Sequence, residues 1–408
     1  LLLTLFKKGK HLVTVLLVLF SIVVGVSLFA FKSLVDVADN INKTASYSEI
    51  EMKVVVPANS SISDVSELTN VQAPTSADES NINALIANIK SEKGVELTVD
   101  PVDSYQSAYE NLINGSSQAM VLNSSYSSLL ELSYNDYESN LKTIYTYKIK
   151  KAIEDTAKTT DKNVFNIYIS GIDTSGAVST VSRSDVNLIL TVNMNTHKIL
   201  MTTTPRDSYV RIPDGGADQY DKLTHAGIYG IETSVKTLEN LYDIPINYYA
   251  RLNFTSFVKL INALGGVTVY NDQAFTSLHG NYNFGVGNIN LTSGEEALGF
   301  VRERYSLEHG DYDRGNNQLK VIQAIVEKLT SFQSVSNYSD VISTLQDSIQ
   351  TNMPLNTMMS LVNEQLDSGK TFIFSSQEVT GTGSTGQLTS YAMPNASLYM
   401  IQLDDASV

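Results

Sequence analysis

Three short β-prone runs, close together in the chain, limit the fold more than any other feature of these 408 residues. Residues 164–170 (VFNIYIS), 186–192 (VNLILTV) and 199–204 (ILMTTT) are rich in β-branched and aromatic side chains and are bounded by Gly, Asn, Asp or Pro. The link 193–198 is short enough for a hairpin. Laid out as an antiparallel meander, the end of the first strand, the start of the second and the end of the third share one sheet edge. That edge gathers Asp173, Arg183, Asp185 and Arg206. Arg183 and Asp185 are two apart, so an extended backbone points both side chains the same way.

Arginine usage singles out the same region. All seven arginines lie between Arg183 and Arg314, whereas the rest of the chain uses lysine. A guanidinium is always charged and offers a planar fork of donors that fits phosphate or carboxylate oxygens two at a time, so this crowding points to an anion site. The formal charge of -15 and a pI near 4.8 argue against a general nucleic-acid binder, which needs a broadly basic surface. With no cysteine there is no disulfide framework, thiolate metal site or thiol nucleophile.

Ahead of the meander the chain changes character twice. Residues 11–31 (HLVTVLLVLFSIVVGVSLFAF) contain no Lys, Arg, Asp or Glu and suffice to cross a hydrocarbon layer about 30 Å thick as a helix. Lys7, Lys8 and Lys10 precede the run while Lys32, Asp36 and Asp39 follow it, which places the bulk of the chain outside the cytoplasm. The run is long for a cleaved signal peptide and lacks a clean small-x-small site after it. The expected organisation is therefore a membrane anchor over 1–35, a polar tether over 36–48, a small α/β accessory domain over 49–150, a charged linker over 151–162 and a larger domain over 163–408.

The accessory domain shows a strand at 52–57, helices near 63–68, 81–89 and 104–113, and a strand at 95–99. Tyr126, Tyr134, Tyr137, Tyr145 and Tyr147 make it tyrosine-rich, a composition that suits packing before carbohydrate stacking. In the larger domain an amphipathic helix carries Val235, Leu238, Leu241 and Tyr242 up to Pro245, followed by a strand at 246–252, a helix at 255–264 and a strand at 267–270. Strand, helix and strand in succession favour a mixed sheet covered by helices. Ser293 and Glu296 have capping-box spacing, and Arg302 and Arg304 close the helix they open. Arg314 and Gln318, four apart near the start of the next helix, share a face where free N–H groups favour an anion. The plainer alternative pairs these arginines with Glu303, Asp311 or Asp313. The expected remainder is helix over 339–366 with a turn at Met353 and Pro354, a strand at 371–374 and a Gly/Ser/Thr loop at 381–389.

The residues exclude several chemistries. There is no Gly-x-Ser-x-Gly elbow, the five histidines form no pair at zinc-ligand spacing, and no dinucleotide fingerprint occurs. Paired carboxylates with several arginines suit Mg²⁺-assisted chemistry on a phosphate or pyrophosphate. Lys222 and His225 are weaker site candidates.

From about residue 163 onward the chain resembles the LytR-CpsA-Psr family, most closely its capsule-associated branch. The resemblance rests on NIYISGIDTSG, SRSDVNLILTVN with KILMTTTPRDSYV, DKLTHA, YYARLNFTSFVKLINALGGVTV and LTSGEEALGFVRERYSLEHGDYDRGNNQ, in that order. It implies a three-layer α-β-α sandwich with a central mixed sheet and an apolar pocket for a lipid tail. The implied activity is an extracytoplasmic, membrane-anchored phosphotransferase that moves a glycan phosphate, a capsular or other cell-wall glycan, from a polyprenyl-pyrophosphate carrier to peptidoglycan. By position, the resemblance gives Asp173 and Asp185 to Mg²⁺ and pyrophosphate. It gives Arg183, Arg206, Arg302, Arg304, Arg314 and Gln318 to phosphate binding, with Asp311 in support. Asn316 and Asn317 stand where relatives often carry a further arginine. The rival readings are a lipid-phosphate binding module without turnover, a pyrophosphatase, and a membrane-bound regulator.

Overall fold

A computed structural model of the chain describes residues 46–153, 163–172, 174, 177–331, 341 and 348–408. The apolar run 11–31 and most of the expected tether lie outside the described residues. Among those described, no helix is long and apolar enough to cross a membrane.

Strands β1 (Tyr47–Pro57), β2 (Asn70–Ala73), β3 (Thr98–Pro101), β4 (Met120–Asn123) and β5 (Leu141–Ala152) form the first sheet, in the order β3-β2-β4-β1-β5. Helices α1 (Thr75–Lys93), α2 (Tyr105–Ile113) and α3 (Ser127–Ser133) pack on it. β1 reads YSEIEMKVVVP, and its alternation sends Met52, Val54 and Val56 into one core with Ile82, Leu85 and Ile89 of α1. Val55 faces the other way, into a second core with Tyr105 and Leu112 of α2. The sheet extends past the expected boundaries at both ends: Tyr47 pairs with Ala152 and Ser48 with Lys151, because the β1–β5 ladder continues there.

The larger domain holds β6 (Val164–Ile172), β7 (Ser184–Asn193), β8 (Lys198–Thr203), β9 (Tyr209–Ile212), β10 (Gln219–Lys222), β11 (Tyr248–Leu252), β12 (Val267–Asn271), β13 (Phe275–Thr276), β14 (Asn283–Phe284), β15 (Gly287–Leu291), β16 (Gln350–Thr351), β17 (Ile373–Glu378), β18 (Gly381–Thr385) and β19 (Tyr399–Leu403). Its helices are α4 (Ile231–Tyr242), α5 (Phe254–Ala263), α6 (Gly294–Arg302), α7 (Asp311–Thr330) and α8 (Leu355–Ser368). The central sheet runs β16-β11-β6-β7-β8-β17 and is mixed: β6, β7 and β8 form the antiparallel meander, while β11 and β17 join it in parallel.

β7 is apolar on both sides because both sides are covered. Ile189 and Tyr168 pack with Val235 and Leu238 of α4 on one face. Leu188, Leu190 and Val192 pack with Leu319, Ile322 and Val326 of α7 and with Leu361 of α8 on the other. The domain is thus a helix, sheet and helix sandwich.

Three elements differ from expectation. β12 pairs with β15 in a separate ribbon rather than joining the central sheet, since its Val267 and Val269 belong to the core of α5, α6 and α7. The Gly/Thr stretch 381–385 is a strand, paired to β19, whose buried Met400 and Ile401 supply the apolar side that 381–385 lacks. α4 ends at Tyr242, where Asp243 takes a left-handed conformation at φ 51°, before Pro245 is reached.

Candidate active site

The meander brings its charged ends together as its topology requires. Ile172 pairs with Ser184, and Leu188 with Thr203, so the start of β7 and the chain leaving β8 lie side by side. A cavity of about 470 Å³ opens there. Arg183, Asp185 and Arg206 line it from the sheet edge, Arg304 from the loop after α6, and Arg314 and Gln318 from α7. Arg314 and Gln318 do so from one face of α7, as their spacing requires.

Asp185 is the centre of the charge arrangement. Its Oδ2 accepts from Arg206 Nη1 at 2.8 Å and its Oδ1 from Thr224 Oγ1 at 3.0 Å. Burial pushes the Asp185 carboxyl up, but the charges of Arg206, Arg183 and Arg314 outweigh it and hold the group below its usual range. Asp185 is therefore an ionised, weakly basic carboxylate, still 22% exposed to the cavity.

A second tier supports this arrangement. Lys222 Nζ lies 2.6 Å from Asp207 Oδ1, and Asp207 also lies 3.9 Å from Arg206 Nε. His225 Nδ1 and Asp221 Oδ1 are 2.8 Å apart, both nearly inaccessible to solvent. Asp221 also accepts from the N–H groups of Lys222 and Ala392, each at 2.8 Å. Burial raises the Asp221 carboxyl, and the adjoining His225 with the hydrogen bonds from His225, Ala392 N–H and Ser390 bring it below its usual value. Thr224 and His225 sit on the 3₁₀ turn Leu223–Tyr229, which is seated against β7 by Gly227. A Cβ on Gly227 would lie 2.5 Å from Ser182 O and Ser184 N. Asp207 and Asp221 were not singled out by sequence reasoning. The signal for Asp207 was its place directly after Arg206.

The remaining expected residues divide. Arg302 is exposed and stacks over the Phe254 ring at 4.3 Å, outside the cavity lining. Arg304 stacks on Tyr305 at 4.5 Å while lining the cavity. Asp173 lies outside the described residues, as does the side chain of Asp311. Two of the three carboxylates offered as plain arginine partners, Glu303 and Asp313, bond to other groups. Buried Glu303 accepts from the N–H groups of Leu278, Arg304 and Ser306 at 2.6, 2.9 and 3.0 Å, which shapes the loop that presents Arg304. Asp313 accepts from His309 N–H and Gln273 Nε2, each at 2.8 Å.

Two further residues expected on more general grounds have structural duties. Arg251, 1% exposed, donates to the carbonyls of Val178 and Thr180 and to Gln350 Oε1. Arg211 is 63% exposed and lies 3.8 Å from Asp218.

As a metal site, the described cavity lining offers three carboxylates, Asp185, Asp207 and Glu378, of which Asp207 lies against Lys222 and Arg206. No group of three or more His, Cys, Asp or Glu residues at metal-binding distance occurs among the described residues. An ionised carboxylate open to an anion pocket still fits Mg²⁺, which keeps several waters and takes one or two carboxylates together with substrate phosphates.

Comparison with known proteins agrees with this picture. The profile of the LytR_cpsA_psr family matches residues 130–406. A second profile, DNA polymerase processivity factor, matches residues 7–122, well under half of the chain. A relative from Enterococcus faecalis, named polyisoprenyl-teichoic acid–peptidoglycan teichoic acid transferase TagU, is 36% identical over 220 residues, 53% of this chain and 71% of the relative. The protein of the same name from Oceanobacillus iheyensis is 35% identical over 232 residues, 55% and 69% of the two chains. Among solved structures, Bacillus subtilis TagV shares the fold at a TM-score of 0.51 and 24% identity, over 61% of this chain and 94% of that one. An Enterococcus faecalis protein described as a transcriptional regulator (EF0465) aligns at a TM-score of 0.50 and 27% identity, over 61% and 86%. With its family profile spanning more than half of the residues, the chain belongs to the LytR-CpsA-Psr family.

Proposed function

We propose that this protein transfers a glycopolymer phosphate from a polyprenyl-pyrophosphate carrier to peptidoglycan. The observation that carries the reading is the cavity in which Arg183, Arg206, Arg304 and Arg314 surround the ionised Asp185. Four guanidinium groups and Lys222 against the carboxylates of Asp185, Asp207 and Glu378 leave a net positive pocket in an acidic protein, sized for a pyrophosphate and its first sugar.

In this reading the arginines neutralise the pyrophosphate oxygens and fix the sugar-side phosphorus against the acceptor. The acceptor hydroxyl oxygen bonds to that phosphorus as its proton passes to water, the bond to the bridging oxygen breaks, and polyprenyl phosphate leaves with the electron pair. Asp185, kept ionised by three arginines, is too weak a base to take the proton and suits a cation better. Asp185, with Asp173 as the second expected ligand, would hold Mg²⁺, which would supply further charge neutralisation on the pyrophosphate. Arg206 fixes Asp185, and Lys222 with Asp207 fixes Arg206.

The names of the relatives favour a teichoic acid as the glycan, and the capsule-branch resemblance favours a capsular polysaccharide. The experiment supplies each lipid-linked glycan to the purified full chain with peptidoglycan, with Mg²⁺ or with EDTA, and measures label in the acceptor against free phosphate. Label in peptidoglycan that needs Mg²⁺ supports transfer. Phosphate release alone identifies a pyrophosphatase, and bound lipid with neither product identifies a carrier protein.

A further inference from the structure

The accessory domain carries a second hollow, of about 500 Å³, lined by Tyr109, Glu110, Ile113, Asn114, Tyr134, Asn135 and Asn140. Its construction resembles neither a core defect nor an anion site. Tyr109 and Tyr134 pack with ring centroids 4.8 Å apart and planes tilted by 47°, Tyr109 buried and Tyr134 half-exposed. The Tyr134 hydroxyl donates to Glu110 and accepts from Gln106 Nε2 at 3.0 Å, while Asn140 Nδ2 donates to the Tyr109 hydroxyl at 3.2 Å. Both rings are thus fixed before any ligand arrives, which removes part of the ordering cost of binding.

Around the ring face stand the exposed amides Asn114 and Asn135. Asn135 makes no side-chain hydrogen bond among the described residues, and Asp136, at φ 58°, turns the chain sharply beside it. An aromatic face ringed by amides that both donate and accept is the chemistry that recognises a sugar, whose C–H face packs on the ring while its hydroxyls bond to the amides. The lining contains one carboxylate and no lysine or arginine, so it disfavours a polyphosphate chain.

Position links the hollow to the anion cavity. Helix α3 (Ser127–Ser133) buries Leu129 and Leu130 and turns Leu132 outward, 56% exposed, where it lines the anion cavity. Tyr134 and Asn135, directly after that helix, line the hollow. Leu132 and Tyr134 are two residues apart, so the two hollows are neighbours in the chain and one extended saccharide could reach from one to the other.

We propose that this hollow is a saccharide subsite that holds an uncharged oligosaccharide segment alongside the phosphate site. Its role in catalysis rests on the transfer reading above, but its binding does not, so the two can fail separately. The test is saturation-transfer NMR and calorimetry on the full chain with chitotetraose as the uncharged probe and a polyglycerol phosphate oligomer as the charged one. Chitotetraose is expected to bind, with affinity reduced at least tenfold in Tyr134→Ala and several-fold in Asn135→Ala. The latter removes an exposed side chain without bonds, so it leaves the fold intact. Arg206→Ala should bind chitotetraose as wild type does, even where it loses the lipid pyrophosphate. No chitotetraose binding, binding unaffected by both Tyr134→Ala and Asn135→Ala, or polyglycerol phosphate binding that depends on Tyr134 would each overturn the assignment.

Discussion

Each arginine of this chain acquires its meaning from what surrounds it. Arg206 touches Asp185 in the cavity, Arg251 is enclosed among backbone carbonyls, and Arg211 stands in solvent beside Asp218. Arg206→Ala should lower transfer by about 10²–10³-fold, because it removes a donor aimed at the developing charge. Arg211→Ala should stay within about twofold, since exposed pairs contribute little. Arg251→Ala should instead show in denaturant unfolding, as a loss of about 3 kcal/mol, because it leaves two carbonyls and Gln350 without their buried partner. A wild-type rate for Arg206→Ala would remove it from the site. Asp221 makes the pH prediction. Its carboxyl is depressed in the folded state, so its contribution is complete above the unfolded value near pH 4 and is lost as pH falls through the lower folded value. The stability gap between wild type and Asp221→Asn, about 1.5–3 kcal/mol at pH 7, should therefore narrow on acidification below about pH 4. A gap independent of pH would contradict the lowered Asp221 carboxyl.

At the scale of elements, the meander was legible because β-branched runs and a short hairpin link leave few other arrangements, and one sheet edge then follows from chain direction alone. Arg183, Asp185 and Arg206 could be placed together on that ground. What surrounds them could not. The 3₁₀ turn Leu223–Tyr229 has no periodicity to announce it, and its Gly227 reads as an ordinary loop glycine until the backbone of Ser182 and Ser184 is seen pressed against it. Gly227→Ala should push this turn away from β7, disengage Thr224 from Asp185 and cost about 1–3 kcal/mol. Thermal unfolding together with lipid binding checks this, and an unchanged melting temperature would show that the turn tolerates displacement. The arginines after α6 were legible as a pair by residue type, but not in their division. Phe254 draws Arg302 out of the cavity, and no spacing rule connects residues so distant in sequence.

At the scale of the molecule, the two main sheets were legible as separate stretches of chain, but their interlocking was not. Glu49 N–H donates to Ser179 O at 2.9 Å, and Val181 packs in the accessory core. In return Ile228, Ala392 and Met393 of the larger domain pack with Tyr105, Tyr109 and Leu130 of the accessory domain. Such contacts join residues far apart in sequence and leave no periodic trace. Because each domain completes the other's core, calorimetry should show one unfolding transition for both, and two separated transitions would contradict the shared cores. The accessory domain also closes one side of the anion cavity through Leu132, which gives it a place at the chemistry rather than beside it. The cavity is proposed to hold a lipid pyrophosphate. Its most direct test is mild membrane extraction of the full chain with Mg²⁺ present, followed by organic extraction and mass spectrometry of co-purified lipid, for wild type, Arg183→Ala and Arg206→Ala. A polyprenyl phosphate or pyrophosphate is expected in the wild type and is expected to be lost from both variants. The same lipid retained in both variants, or its absence from the wild type, would contradict it.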